Sequence, residues 1–477
     1  MRLDPVPVAD PRLIRFNEAL ASELGLERRE LDDGTLAQIF SGNSVPEGAE
    51  PIAMAYAGHQ FGQFVPRLGD GRAILLGEVI DRRGVRRDIQ LKGSGRTPFS
   101  RLGDGRAALG PVLREYLISE AMHALGIEAT RALAAVTTGE TVLRDGRLPG
   151  AVVTRVANSH VRVGTFEYFA ARGDGNAVRR LADYVIERHF PHLASADRPY
   201  LELLRAVCRR QAALIASWMQ VGFIHGVMNT DNTSISGETI DFGPCAFMDA
   251  YDPATVFSSI DSMGRYAYAN QPLAARWNLA RFAETLLPLI DADPKRAVEA
   301  AAPVVEQFSA DFEERRLDGM RAKLGFRAAE PDDPALIHRW LELLERNRCD
   351  FTLTCRKLCD AADTPPGVAE ADATVRALFE RPAEYDAWAA LWRSRLAREP
   401  APSGGRGAAM RMVNPAYIPR NHRVESAISA AIERTDFAPF EELLEVLAAP
   451  YVAQPRFEAY ERPPRPEERV LQTFCGT

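Results

Sequence analysis

The chain has 477 residues, 46% of them hydrophobic and 26% charged, and a formal net charge of −7 at pH 7. That length suggests about two to four domain-sized units, with cores large enough to need no metal or disulfide staple. The mild acidity argues against a nucleic-acid binder, and no run of about 18 apolar residues is present to span a membrane.

The N-terminus carries Asp4 and Asp10 and lacks the apolar core of a leader, which predicts a cytoplasmic protein. Residues 1–50 read as a lead-in, with a short amphipathic helix over Leu13–Leu24 and a loop from Gly42 to Pro51. Strands are predicted over Ala73–Val79 and Val85–Leu91, joined by an Asp81-Arg82-Arg83-Gly84 hairpin turn. Pro111–Leu125 reads as a helix: Pro111 is tolerated in its first turn, Leu113, Leu117, Ala121 and Ala124 mark one face, and Gly126 stands at its stop. Strands follow around Ala132–Val136 and Ala151–Val156. From about Tyr184 the chain turns helical, with a long helix over Leu201–Val221 and an apolar Phe223-Ile224 step after it. Helices continue beyond Ser258, broken near Asp291–Lys295, Pro331–Pro334 and Asp363–Pro366, with a mobile loop over Pro400–Gly407. Strands with one helix, followed by a helical half, predict a two-lobed α+β enzyme rather than an alternating βαβ sheet.

The heptapeptide Arg67–Ala73 recurs as Arg101–Ala107, which suggests two glycine turns, each presenting an arginine. Gly69, Gly71 and Arg72 stand just before a strand, where glycines admit a phosphate close to the backbone and an arginine pairs with it; a plain hairpin turn is the other reading. Lys92 ends an apolar strand, and Glu115 lies on the following helix 23 residues later, the layout in which protein kinases hold phosphates. Glu120 is the other acid of that helix, and Arg114 beside Glu115 leaves open a pair of solvated charges.

The densest signal is His225-Gly-Val-Met-Asn-Thr-Asp-Asn232 followed by Ile240-Asp241-Phe242-Gly243. Asn232 lies seven residues after His225 and Asp241 opens Asp-Phe-Gly, as in the metal-holding pair of kinases. Val227 stands where the kinase catalytic aspartate would be and cannot accept a proton, so Asp231 is the replacement base. Asn232 and Asp241 supply oxygen ligands suited to a hard divalent cation. Arg155 ends a strand and Arg162 follows; either a phosphate or a structural carboxylate would partner them. The expected units are the lead-in (1–50), a kinase-like small lobe (51–150), a catalytic lobe core (151–265) and a helical C-terminal extension with a mobile tail (266–477). The six cysteines, Cys208, Cys245, Cys349, Cys355, Cys359 and Cys475, contain no Cys-x-x-Cys pair, so buried thiols are expected rather than a zinc site.

Together these segments resemble the selenoprotein O (SelO/YdiU) family of protein adenylyltransferases. The resemblance rests on Tyr56–Gly62, Leu91–Gly95, Arg114–Leu117, His225–Asn232, Asp241–Pro244, Asn414-Pro415 and Arg420–His422, and covers nearly the whole chain. It implies a kinase-like fold that binds ATP in a flipped orientation and transfers AMP to Ser, Thr or Tyr hydroxyls of proteins, releasing pyrophosphate. UTP and manganese are implied as alternatives to ATP and magnesium. Carried over by motif, the nucleotide site is Gly69, Gly71, Arg72, Lys92, Asp104, Gly105, Arg155, Arg162 and Asp241. Glu115 orients Lys92, Asp231 is the base, and Asn232 and Asp241 hold Mg2+ or Mn2+. Two other readings stand beside it: a hydroxyl kinase with Asp231 as base, and a non-catalytic ATP-binding scaffold. Cys475 occupies a place similar to the selenocysteine of eukaryotic members; a transient disulfide to Cys245 and a plain disordered tail are the two expectations for it.

Overall fold

The strand-forming residues gather early. In the computed structural model, which describes residues 1–26, 31–144, 146–363 and 369–474, the order begins β1 (Arg12–Phe16), α1 (Glu18–Leu24), α2 (Asp33–Ser41), β2 (Gly58–Gln60), β3 (Gln63–Val65), β4 (Ala73–Ile80) and β5 (Arg86–Lys92). It continues with β6 (Ala107–Ala108), α3 (Leu109–Ala124), β7 (Arg131–Leu143) and β8 (Arg147–Ala157). The large sheet runs β1-β7-β8-β5-β4, antiparallel throughout, with β6 on β8.

Past the sheet the chain is mainly helical: α4 (Val163–Ala170), α5 (Gly175–His189), α6 (Pro199–Val221), the short pair β9 (Phe223–Ile224) and β10 (Ala246–Phe247), then α7 (Gln271–Ile290), α8 (Pro294–Lys323) and α9 (Asp333–Arg346). The last helices are α10 (Phe351–Asp363), α11 (Ala369–Arg376), α12 (Pro382–Leu396), α13 (Arg406–Arg411), α14 (Asn421–Arg434) and α15 (Ala438–Leu447). A sheet first and helices after it is the α+β order expected. Among the described residues no helix is long and apolar enough to cross a membrane.

The β4–β5 hairpin lies where the alternation placed it. Ala73 pairs with Lys92, Asp81 Oδ1 accepts the Arg83 and Val85 amides at 2.9 and 2.8 Å, and Gly84 takes the left-handed φ of 79° that the turn requires. The helix predicted from Pro111 starts two residues earlier, at Leu109, and Gly126 stands just beyond it at φ 77°. Three expectations need correction. Leu13–Leu24 is not one helix: Arg12–Phe16 pairs with β7, Leu13 opposite Val136, and the helix begins only after Asn17, whose side chain caps it. Long-range pairing outweighs a local helical pattern there. The helical half begins at Val163, not near Tyr184. The end of the Pro400–Gly407 stretch is ordered into α13, with Arg406 donating to the carbonyls of Gly325, Leu396 and Glu399. Part of the predicted Asp363–Pro366 break lies outside the described residues, as does Cys475. The other five cysteines are buried and free.

The hydrophobic clusters cross the chain. Leu113, Tyr116 and Leu117 of α3 pack against Val424 and Ile428 of α14 and Phe440, Leu443 and Leu447 of α15. Leu204 and Ile215 of α6 share a core with Phe282 and Phe308. Trp340, Trp388 and Trp392 stack in a third, at centroid distances of 4.3 and 5.7 Å. One buried cation ties the chain end to the middle: Arg420, 1% exposed, pairs with Asp249 at 2.5 Å and Asp350 at 2.8 Å and donates to the Glu461 carbonyl. Arg420→Ala would leave two buried carboxylates without their counter-charge. It should cost about 3–5 kcal/mol, read as a lower urea midpoint of tryptophan fluorescence, with Arg420→Lys recovering part of the loss.

Candidate active site

Four of the expected site residues, Lys92, Glu115, Arg155 and Asp241, meet where β5 and β8 run side by side beneath α3. Lys92 is the last residue of β5 and stands opposite Val153; Gln90, two residues back on the same face, stands opposite Arg155 of β8. Lys92 Nζ donates to Glu115 Oε2 and to Asp241 Oδ1, each at 2.6 Å. Arg155 donates through Nε to Glu115 Oε1, through Nη2 to Asp241 Oδ1 at 3.2 Å and through Nη1 to Gln90 Oε1 at 3.2 Å. Two cations and two carboxylates thus form one closed set. Burial alone would raise both acids; the charges of Arg155 and Lys92 outweigh it at Glu115, and those of Lys92 and Arg155 at Asp241, so both are held below their ordinary values. Arg72 also acts on Asp241 in that direction.

Asp241 sits at φ 67°, left-handed for a residue with a side chain, on the loop that follows Ile240. That loop is fixed by His225, whose Nε2 donates to the Ile240 carbonyl at 2.9 Å. His225 therefore ties the Asp241 loop to the segment bearing Asp231 and Asn232. Val227 is buried, as expected of a residue with no proton to take.

Asp231 is set apart from the ion-pair set. Its Oδ2 accepts from Gln60 Nε2 at 3.3 Å, and its buried Oδ1 has no hydrogen-bond partner among the described residues. Burial pushes its pKa up to about 7, against the pull of Arg162. The β2–β3 hairpin covers it closely: His59 N donates to Thr230 Oγ1 at 2.7 Å, and Phe61 N to Asn229 Oδ1 at 3.0 Å. A Cβ on Gly58 would come within 2.7 Å of Asp231 Oδ1, so the hairpin admits only glycine there. Arg162 donates to the Asp231 carbonyl at 3.1 Å, and its guanidinium carbon lies 4.4 Å from the centre of the Tyr56 ring. Asn232 donates its amide to the Val227 carbonyl at 2.9 Å, leaving its amide oxygen as an acceptor. An acceptor oxygen on Asn232 and the anionic Asp241 suit Mg2+ or Mn2+, which take few protein ligands and complete their shell with water and phosphate. No group of three or more His, Cys, Asp and Glu side chains gathers at one point among the described residues.

The two heptapeptides separate. In the first, Leu68 is 4% exposed, Asp70 is buried, and Gly69 takes φ 79° with the Phe99 ring where its Cβ would be. In the second, Leu102 is 99% exposed, and Asp104 pairs with Arg144 at 2.8 Å and accepts the Arg106 amide. No bond among the described residues joins Asp104 to the Lys92 set; the Gly105 carbonyl accepts the Gly95 amide at 2.9 Å, in the loop three residues after Lys92.

The family model described as Protein adenylyltransferase SelO matches residues 3–448. The chain belongs to the SelO family of protein adenylyltransferases. Among similar proteins is the Protein nucleotidyltransferase YdiU of Rhodopseudomonas palustris (strain BisB5), 63% identical over 476 residues, which span 100% of this chain and 96% of the relative. Those of Bradyrhizobium sp. (strain BTAi1) and Rhizobium meliloti (strain 1021) are 64% and 62% identical over 477 residues, with the same shares covered.

Reading residues in order missed three parts of this SelO-family site. Gln90 bridges Arg155 to Asp70, donating to Asp70 Oδ2 at 3.3 Å, and Asp70 also accepts the Met54 amide at 3.0 Å. Gln60 is the side-chain partner of Asp231. A polar residue in the middle of an apolar strand was the available signal for Gln90. Arg114, left open as a surface charge, is buried and donates to Cys245 O, Asn421 Oδ1 and Glu425.

Two measurements probe this region. Glu115→Gln removes the one carboxylate that Lys92 and Arg155 share apart from Asp241, and should lower turnover about 10²-fold while the circular-dichroism spectrum stays as in the parent. Glu238, buried beside the Asp241 loop, accepts the Asn158 amide and the Ser236 hydroxyl, and burial raises its pKa from 4.5 to about 7. The folded chain holds that proton more tightly than the unfolded one. The contribution is therefore full below about pH 4.5, falls as pH rises, and is lost above about pH 7, by about 3 kcal/mol. Glu238→Gln should flatten this part of the curve in urea midpoints compared at about pH 5 and about pH 8.

Proposed function

We propose that this nucleotidyltransferase moves AMP from ATP to the hydroxyl of a Ser, Thr or Tyr on an acceptor protein and releases pyrophosphate. UMP from UTP is the variant on the same chemistry. A proton-accepting carboxylate, Asp231, stands apart from a charge-balanced anchor for phosphates, and that separation carries the reading. In this reading the fold is that of a two-lobed protein kinase: β4, β5 and β8 with α3 stand for its small lobe, and the His225–Asn232 and Asp241–Gly243 segments for its catalytic and metal loops.

Lys92, Arg155 and Arg72 bind the phosphates, with Gly69 and Gly71 giving the backbone room and Arg162 adding charge beside Asp231. Gly105, with Asp104 in the same turn, backs the loop after Lys92. Glu115 keeps Lys92 and Arg155 in place. The acceptor oxygen attacks the α-phosphorus and forms the new P–O bond as the α–β bridging P–O bond breaks; Asp231 takes the hydroxyl proton and the electron pair leaves with pyrophosphate. Asn232 and Asp241 hold Mg2+ or Mn2+, which supplies positive charge to the phosphate oxygens. A full complement of Lys92, Asn232 and Asp241 speaks against a non-catalytic scaffold.

ATP labelled at the α or at the γ position separates the readings: label on protein from the α position alone is expected. Label from the γ position would instead mark a hydroxyl kinase, and none from either a scaffold. Asp231→Asn, matching the shape and removing the base, should cut transfer about 10²–10⁴-fold with nucleotide Kd near that of the parent. Asp241→Ala should abolish metal-dependent transfer, tested at saturating magnesium and manganese.

A further inference from the structure

Away from the Lys92 set, a cavity of about 420 Å3 opens between the α3–β7 loop, the end of β8, and helices α5 and α6. Three basic side chains, Arg188, His189 and Arg210, line it against one acid, Glu128, which is exposed. Arg210 is the unusual member. It donates to the carbonyls of Ser236 at 3.2 Å and His189 at 3.1 Å, lies 4.0 Å over the Phe190 ring, and makes no ion pair to a carboxylate among the described residues. A guanidinium has five N–H donors, so most of the hydrogen-bonding capacity of Arg210 is unused.

Arg188 Nε and His189 Nε2 have no hydrogen-bond partner among the described residues, but both atoms are buried and neither reaches the cavity surface. The Arg188 side chain is 3% exposed and balanced by Asp88 at 2.6 Å and by Glu78. His189 is kept neutral, its pKa pushed down to about 3 by burial and by the charges of Arg188 and Arg210. Ser217, seven residues along α6 from Arg210, also lines the cavity with its own hydroxyl donated to Ala213 O, so it adds an acceptor lone pair but no further cation.

We propose that this cavity is a second ligand site, for a small phosphate-bearing molecule whose phosphate takes the unused donors of Arg210, the lining cation that has no carboxylate partner among the described residues. Its volume exceeds one phosphate and falls in the range of small-molecule pockets, about 300–1,000 Å3. Its rim is bonded into the reaction centre. The Glu128 carbonyl accepts both the amide and the hydroxyl of Thr239 at 2.9 Å, and Thr239 stands two residues before Asp241.

Inorganic phosphate is the probe, with calorimetric titration as the readout, in a Lys92→Ala background that weakens the phosphate anchor of the reaction centre. One saturable phosphate site is expected there. Adding Arg210→Gln should weaken it at least tenfold, Arg210→Lys less, and Ser217→Trp, which fills the cavity without touching a cation, should abolish it. Failure of Lys92→Ala to bind phosphate, or binding unchanged by both Arg210→Gln and Ser217→Trp in folded protein, would overturn the proposal.

Discussion

The carboxylate of Glu115 is the point on which the site depends. One oxygen holds Lys92 and the other Arg155, so a single side chain sets the spacing of two cations from two different strands. A buried charge pair is costly to assemble and more costly to leave half made. The helix carrying Glu115 must therefore be held rigidly against the sheet, and the chain does this from both directions. The apolar face of α3 is covered by α14 and α15, and Arg114, next to Glu115, reaches over to Asn421 and Glu425 on α14. Residues more than 300 positions away thus fix a contact that sequence spacing alone would assign to local structure.

Asp231 works under the opposite constraint. It is enclosed by the β2–β3 hairpin, yet one of its oxygens meets no donor among the described residues. The hairpin satisfies the backbone around it, through Thr230 and Asn229, while leaving the carboxylate itself under-bonded. The anchoring carboxylates and this one differ less in burial than in whether a cation bonds their oxygens: Arg162 donates to the Asp231 backbone carbonyl and not to its carboxylate.

Much of this was legible residue by residue. The Asp81–Gly84 turn, the Lys92 strand, the Glu115 helix and the His225–Asp241 pair all announce themselves through short-range chemistry: turn residues, periodicity and fixed spacing. What stayed hidden depends on neighbours distant in sequence. Leu13 belongs to a strand because Val136 lies beside it. Gln90 matters because β8 brings Arg155 across from it. The two identical heptapeptides make the limit plain: the same seven residues bury Leu68 and expose Leu102, because Phe99 and the sheet surround only the first.

The dependence of α3 on α14 and α15 also has a temporal side. During synthesis, the Lys92 strand and the Glu115 helix emerge when most of the chain is still unmade. The face of α3 formed by Leu113, Tyr116 and Leu117 then has nothing to cover it until residues beyond Val424 arrive. A nascent chain therefore carries Lys92 and Glu115 with that face of α3 uncovered until α14 and α15 have emerged.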